Sequence, residues 1–124
     1  MAKKQKKVGI DQIHMQNAVK TLAANIRFAS VDDPIRSIVV TSSVSNEGKT
    51  TVAISLAEAI ASSGSSVLLL ECDMRRRSIA NSLGIHARSG VYSVLCGQTA
   101  LADAMVATGT RGMYFLDSEP HIPN

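Results

Sequence analysis

The stretch Ile38-Val39-Val40-Thr41-Ser42-Ser43-Val44-Ser45-Asn46-Glu47-Gly48-Lys49-Thr50-Thr51 decides the fold. Ile38 to Val40 is a β-branched apolar run, too short for a helix and suited to a strand buried on both faces, as parallel strands are. A loop separates it from Thr50 to Ser63, which is rich in Ala, Leu and Ile, closes at Gly64, and is apolar on nearly every side except around Glu58. That composition predicts a covered helix. Val67 to Leu70 follows as a second buried strand. Strand, loop, helix and strand within one βαβ length imply a right-handed crossover, so the fold class is α/β with a parallel sheet flanked by helices.

The loop itself carries chemistry. Ser43 to Thr51 has the spacing of a phosphate loop, with Ser43 in place of the first glycine. Successive backbone N–H groups at a helix N-terminus point at phosphate oxygens, and the helix dipole favours an anion there. Ser43, Ser45, Asn46, Glu47, Gly48, Lys49, Thr50 and Thr51 are therefore the expected nucleotide-binding residues. Gly48 lets the backbone approach the phosphates, Lys49 reaches the β- and γ-phosphates, and Thr50 offers its hydroxyl to Mg2+. ATP and Mg2+ are the expected cofactors. The strand before the loop and the helix after it supply the setting that such a motif requires.

Just past the second predicted strand comes Glu71-Cys72-Asp73-Met74-Arg75-Arg76-Arg77. This is the carboxyl end of a parallel strand, where α/β sheets place ligands. Asp73 can hold Mg2+ or orient an attacking hydroxyl, and an arginine of the run can stabilise charge on a transferred phosphoryl group.

Outward from this core, Asp11 to Ser30 reads as an amphipathic helix, with Met15, Ala18, Val19, Leu22 and Ile26 on one face. Asp32, Asp33 and Pro34 stop it. Residues 1–30 are thus expected to be a basic segment and helix, and residues 31–124 to belong to a nucleotide-binding domain, of which the family resemblance given below implies they are the N-terminal part. Beyond Arg77, short helices are expected at Ile79 to Leu83, Val91 to Leu95 and Ala100 to Val106, and a third strand at Met113 to Leu116.

Composition narrows the function. The chain has 124 residues, 45% of them hydrophobic and 19% charged, enough for one core and too few for two. Lys3, Lys4, Lys6 and Lys7 supply four of the 13 basic residues, so the formal charge of +3 describes a basic, solvated tip on a nearly neutral body. Aromatic residues make up only 3%, which leaves few platforms for stacking bases, and nucleic acid is not an expected partner. Cys72 and Cys96 have neither metal-ligand spacing nor disulfide density, so reduced thiols in a cytoplasmic protein are expected. Lys7 is followed by Val8-Gly9-Ile10-Asp11-Gln12, which is no signal-peptide core, and no window is apolar enough to span a membrane.

The chain resembles the bacterial tyrosine kinases of capsule and exopolysaccharide biosynthesis, relatives of the partitioning and division-site ATPases. The resemblance runs from Lys20-Thr21-Leu22-Ala23-Ala24-Asn25-Ile26-Arg27-Phe28 through Asn46-Glu47-Gly48-Lys49-Thr50-Thr51 and Asp73-Met74-Arg75-Arg76. It continues in Leu83-Gly84-Ile85 and Gly90-Val91-Tyr92-Ser93-Val94-Leu95-Cys96-Gly97. It implies an ATP-dependent kinase that phosphorylates tyrosines on itself or a sister copy. Lys49 and Thr50 would belong to the Walker A loop, and Glu71 and Asp73 to a second acidic motif. Lys49, Glu71, Asp73 and Arg75 are then the catalytic candidates, with Thr50, Glu71 and Asp73 around the metal.

The same resemblance implies a membrane-anchored regulator of polysaccharide chain length as partner, homo-oligomers, and a place at the inner face of the membrane. Partitioning ATPases usually carry a lysine where Val44 stands, which favours the kinase branch. The family's ring-assembly positions would fall on Asn17, Lys20 and Ala23, where only the lysine is charged. The family's third acidic motif and its C-terminal tyrosine cluster lie beyond Asn124, so an incomplete domain is expected. Tyr114-Phe115-Leu116-Asp117 has the form of that third motif and is a second candidate for it. Two other functions stay open: an interaction module that binds nucleotide without transfer, and a partitioning-type ATPase switch.

Overall fold

The structure, a computed structural model, describes residues 2–29, 32–41, 48–73 and 76–119, with side chains from residue 13 onward. It divides into two compact units, Met1–Ile60 and Ala61–Asn124.

In the first unit, helix α1 spans Ala2–Ala29, starting nine residues before the expected Asp11. Arg27 in its last turn suits the negative end of the helix dipole. The predicted apolar stripe is largely uncovered: Val19 is buried, but Met15 and Leu22 are exposed. Residues 34–41 form neither helix nor strand. The expected strand at Ile38 to Val40 is therefore absent, and Val39 is 88% exposed. Three residues make a strand only where a neighbour takes up their ladder hydrogen bonds, and the described strands pair elsewhere. Helix α2, Lys49–Ser62, matches its expected bounds within a residue and continues into the second unit. Its first turn closes with Val52 N–H donating to the Gly48 carbonyl at 3.0 Å.

The second unit holds a three-stranded sheet. Strand β1 is Val67–Leu70, β2 is Val106–Ala107 and β3 is Met113–Leu116, in the order β1-β3-β2. β1 runs parallel to β3 with Val67 opposite Met113 and Leu70 opposite Leu116, while β2 is antiparallel with Val106 opposite Phe115. The sheet is thus mixed. Helices α3 (Ser78–Leu83), α4 (Val91–Leu95) and α5 (Leu101–Ala104) accompany it. The helix expected up to Val106 stops at Ala104, because Val106 and Ala107 instead take ladder bonds from β3.

Central position explains the burial. Met113, Phe115 and Leu116 of β3 are buried, Phe115 fully, as are Ile79, Ala80 and Ala104 from the helices. β1 was expected to be buried on both faces, yet Leu68 and Leu70 are exposed. They share the face on which Tyr114 also stands exposed, and β1 lies at the sheet's edge. Among the described residues no helix is long and apolar enough to cross a membrane.

Candidate functional site

Two groups of candidate residues emerge, one in each unit. In the first, Ser43, Ser45, Asn46 and Glu47 lie outside the described residues. Gly48 has φ +77°, a left-handed conformation that side chains resist, and it turns the chain into α2. Lys49 is the first residue of that helix and is exposed. No acidic residue stands in the helix's first turn. A cation at the positive end of a helix dipole is unfavourable by itself and becomes favourable when an anion sits between them. With Thr50 and Thr51 beside it, this donor set fits phosphate.

In the second unit, the parallel pairing of β1 and β3 brings both carboxyl ends to the same side, and acidic residues follow each. The ladder runs one bond further, with Glu71 N–H donating to the Leu116 carbonyl at 3.0 Å. Glu71 is buried, and its side chain serves the backbone. Oε1 accepts from Ile79 N–H at 3.0 Å and Oε2 from Asp73 N–H at 3.4 Å, so the carboxylate holds the first turn of α3. Asp73 Oδ1 accepts from Arg76 N–H at 3.1 Å. Arg75 lies outside the described residues.

Arg77 was read as part of a basic run, and the structure gives it a specific partner forty positions away. Its Nε donates to Asp117 Oδ1 at 3.2 Å, and its Nη2 forms an ion pair with Oδ2. Asp117 is 1% exposed. The hydrogen bonding that Arg77 donates to the Asp117 carboxylate raises the Arg77 pKa further, against the opposing effect of burial. Ser118 N–H donates to Asp117 Oδ1 at 2.7 Å. Asp117, the candidate for a third acidic motif, thus has both carboxylate oxygens engaged by the chain itself.

A neighbouring carboxylate escaped sequence reasoning. Glu119 Oε1 accepts from Gly90 N–H at 2.8 Å and Ser93 N–H at 2.7 Å, capping α4 from 26 or more positions away. Burial pushes the Glu119 pKa up, but the hydrogen bonds from Ser93 and Gly90 outweigh it and leave the pKa below the ordinary value. Gly90 is indispensable in this packing: a Cβ there would lie 2.0 Å from the Asp117 carbonyl oxygen. No local signal could have revealed Glu119, because its partners are backbone groups remote in sequence.

For Mg2+, the described residues contain no group of three His, Cys, Asp or Glu side chains that could hold a metal ion. Mg2+ in nucleotide sites rarely needs one, since one or two carboxylates, phosphate oxygens and water complete its shell. Glu71 has both carboxylate oxygens on backbone N–H groups, those of Ile79 and Asp73, and so holds the turn that carries Asp73. Cys72 and Cys96 are free thiols, and the side-chain hydrogen bond with Cys96 raises the Tyr92 pKa.

Residues 38–90 match the family model of the CobQ/CobB/MinD/ParA nucleotide binding domain. The tyrosine-protein kinase YwqD of Bacillus subtilis is 34% identical over 105 residues, which is 85% of this chain and 44% of that protein. Among solved structures, the chimerical protein CapA2B2 superposes with a TM-score of 0.77 and 31% identity, covering 86% of this chain and 46% of the other. The BceF tyrosine kinase domain gives 0.69 and 32%, covering 82% and 40%. The chain spans less than half the length of each of these relatives.

Proposed function

We propose, for a chain that belongs to the MinD/ParA-type P-loop family that includes the bacterial tyrosine kinases, that it is the ATP-binding portion of a protein-tyrosine kinase regulating capsular or exopolysaccharide synthesis. The observation that carries this reading is Lys49 at the start of α2, behind a left-handed Gly48 and inside the segment matched by the family model.

In this reading, the loop from Ser43 to Thr51 cradles the phosphates with its backbone N–H groups, and Lys49 places its ammonium on the β- and γ-oxygens. Bound Mg2+ neutralises phosphate charge during transfer. Thr50 and Asp73 are the residues of this chain that would hold it, with Glu71 fixing the turn that carries Asp73. Asp73 also orients the tyrosine hydroxyl and takes its proton as the tyrosine oxygen bonds to the γ-phosphorus. The bond from that phosphorus to the β–γ bridging oxygen breaks and ADP leaves, while Arg75 stabilises the charge on the phosphoryl oxygens. The acceptor is a tyrosine of the same chain or of a sister copy. The protein works in the cytoplasm beside a membrane-anchored chain-length regulator, with homo-oligomers as its assembled form.

Calorimetry tests the nucleotide site. Lys49→Ala is expected to weaken ATP or ADP binding by ~2 kcal/mol, the worth of a charge-assisted contact. Equal affinity in the two proteins would refute the assignment. A second reading, an interaction module that binds nucleotide without transferring phosphate, draws on the Glu71 carboxylate being committed to backbone N–H groups. Labelled ATP followed by phosphotyrosine detection separates the two.

A further inference from the structure

Beyond the last ladder bond at Glu71, the turn that carries Asp73 is held to the end of β3 by a closed set of contacts. The Asp73 carbonyl accepts from Arg77 N–H at 3.2 Å and from the Ser118 hydroxyl at 3.5 Å. Both of those residues are in turn bound to one carboxylate. Arg77 reaches Asp117 through Nε and Nη2, and Ser118 reaches it through its backbone N–H at 2.7 Å. Ser118 and Asp117 are buried, so this anchor does not yield to solvent. Arg77 adopts φ 47°, ψ 42°, a left-handed conformation uncommon outside glycine. Such a conformation persists only where its surroundings over-determine it, and here the ion pair and the bond to Asp73 do so.

We propose that Asp117 and Arg77 are a positioning pair for the reaction: together they fix the backbone of Asp73 so that its carboxylate meets Mg2+-nucleotide, while neither touches the metal. This rests on the reading of Asp73 as the metal-side carboxylate. Asp117 takes the positioning role because its buried carboxylate is already charge-paired with Arg77 and accepts from Ser118 N–H, which makes it a weaker attractor for a second cation. In this proposal Tyr114-Phe115-Leu116-Asp117 is a strand ending in an acid whose task is to hold Arg77. Groups that orient a metal-binding residue from behind typically change metal affinity by about 10- to 100-fold when removed.

The test is calorimetric titration of the full chain with ADP, once with Mg2+ and once with EDTA, the ratio of the two affinities being the metal-dependent gain. Asp117→Asn and Arg77→Gln are each expected to cut that gain by about tenfold, with the affinity in EDTA unchanged. The double variant loses no more than the worse single variant, because the two side chains act as one unit. Arg77→Lys retains part of the gain. Equal losses with and without Mg2+ would mark a merely structural pair and overturn the proposal, as would an intact gain. If Asp117→Asn fails to fold, Arg77→Gln on the more exposed partner decides. Asp73→Asn separates the two levels of inference. An intact gain in Asp73→Asn refutes the reading of Asp73, whereas a gain lost there and kept in Asp117→Asn refutes the pair alone. No ADP binding by the unaltered chain overturns both.

Discussion

The start of α2 and the turn after β1 are both candidate parts of a nucleotide site, and they are held in different ways. At Gly48 and Lys49 the described contacts are those of a helix beginning, a backbone bond from Val52 to Gly48 and an exposed lysine. At Asp73 the turn is cross-linked by side chains: Glu71 to the backbone of α3, Arg77 to Asp117, and Ser118 to both Asp117 and Asp73. The contrast teaches what each kind of chemistry demands. A phosphate cradle uses backbone N–H groups and a free charge, so a local pattern of residue types suffices. A carboxylate that must meet a metal has to be aimed, and aiming requires partners from elsewhere in the fold.

The comparison can be broken most forcefully at the centre of the second unit. Phe115 is fully buried on the middle strand, and Phe115→Ala is expected to cost ~4 kcal/mol, read as a lowered midpoint in chemical denaturation. A cost under ~1 kcal/mol would mean that the sheet does not pack as described.

Next in size is Gly90→Ala. The added methyl meets the Asp117 carbonyl oxygen, and the strand end must shift, for a loss of ~3 kcal/mol in the same assay. Because that carbonyl belongs to the residue paired with Arg77, the variant also reports whether the acid turn and the α4 entry move together.

Smaller again is the contribution of Glu119. Its pKa lies below the ordinary value in the folded chain, so its stabilisation is complete above the unfolded value of about 4.3 and fades as pH falls through the lower folded value. Glu119→Gln should therefore be less stable than the unaltered protein at neutral pH, with the difference vanishing in acid. A pH-independent difference between the two melting curves would show that the carboxylate's charge is not what caps α4.

The smallest effect sharpens the first half of the comparison. Val39→Ala, at an exposed position outside the described strands, should change stability by under ~0.5 kcal/mol. A loss approaching that of Phe115→Ala would instead place Ile38 to Val40 in a strand, as their β-branched pattern alone predicts.

Sequence by itself determined the elements whose stability is local. α2 was legible from its Ala-rich, capped run, β1 and β3 from two apolar tetrapeptides, and α3 and α4 from short helical runs with glycine at their ends. The phosphate-loop pattern could be read in the same local way, since its residues are contiguous in the chain. Tertiary structure alone decided the rest. Val106 left its helix because a neighbouring strand offered ladder bonds, whereas none of the described strands pairs with Ile38 to Val40, which stay irregular. Arg77 changed from one charge in a run to the partner of a buried aspartate, and Glu119 became a helix cap, through contacts spanning 40 and 26 positions. Pairing energies of this kind depend on the distance between atoms in space, and the order of residues along the chain encodes that distance only through the completed fold.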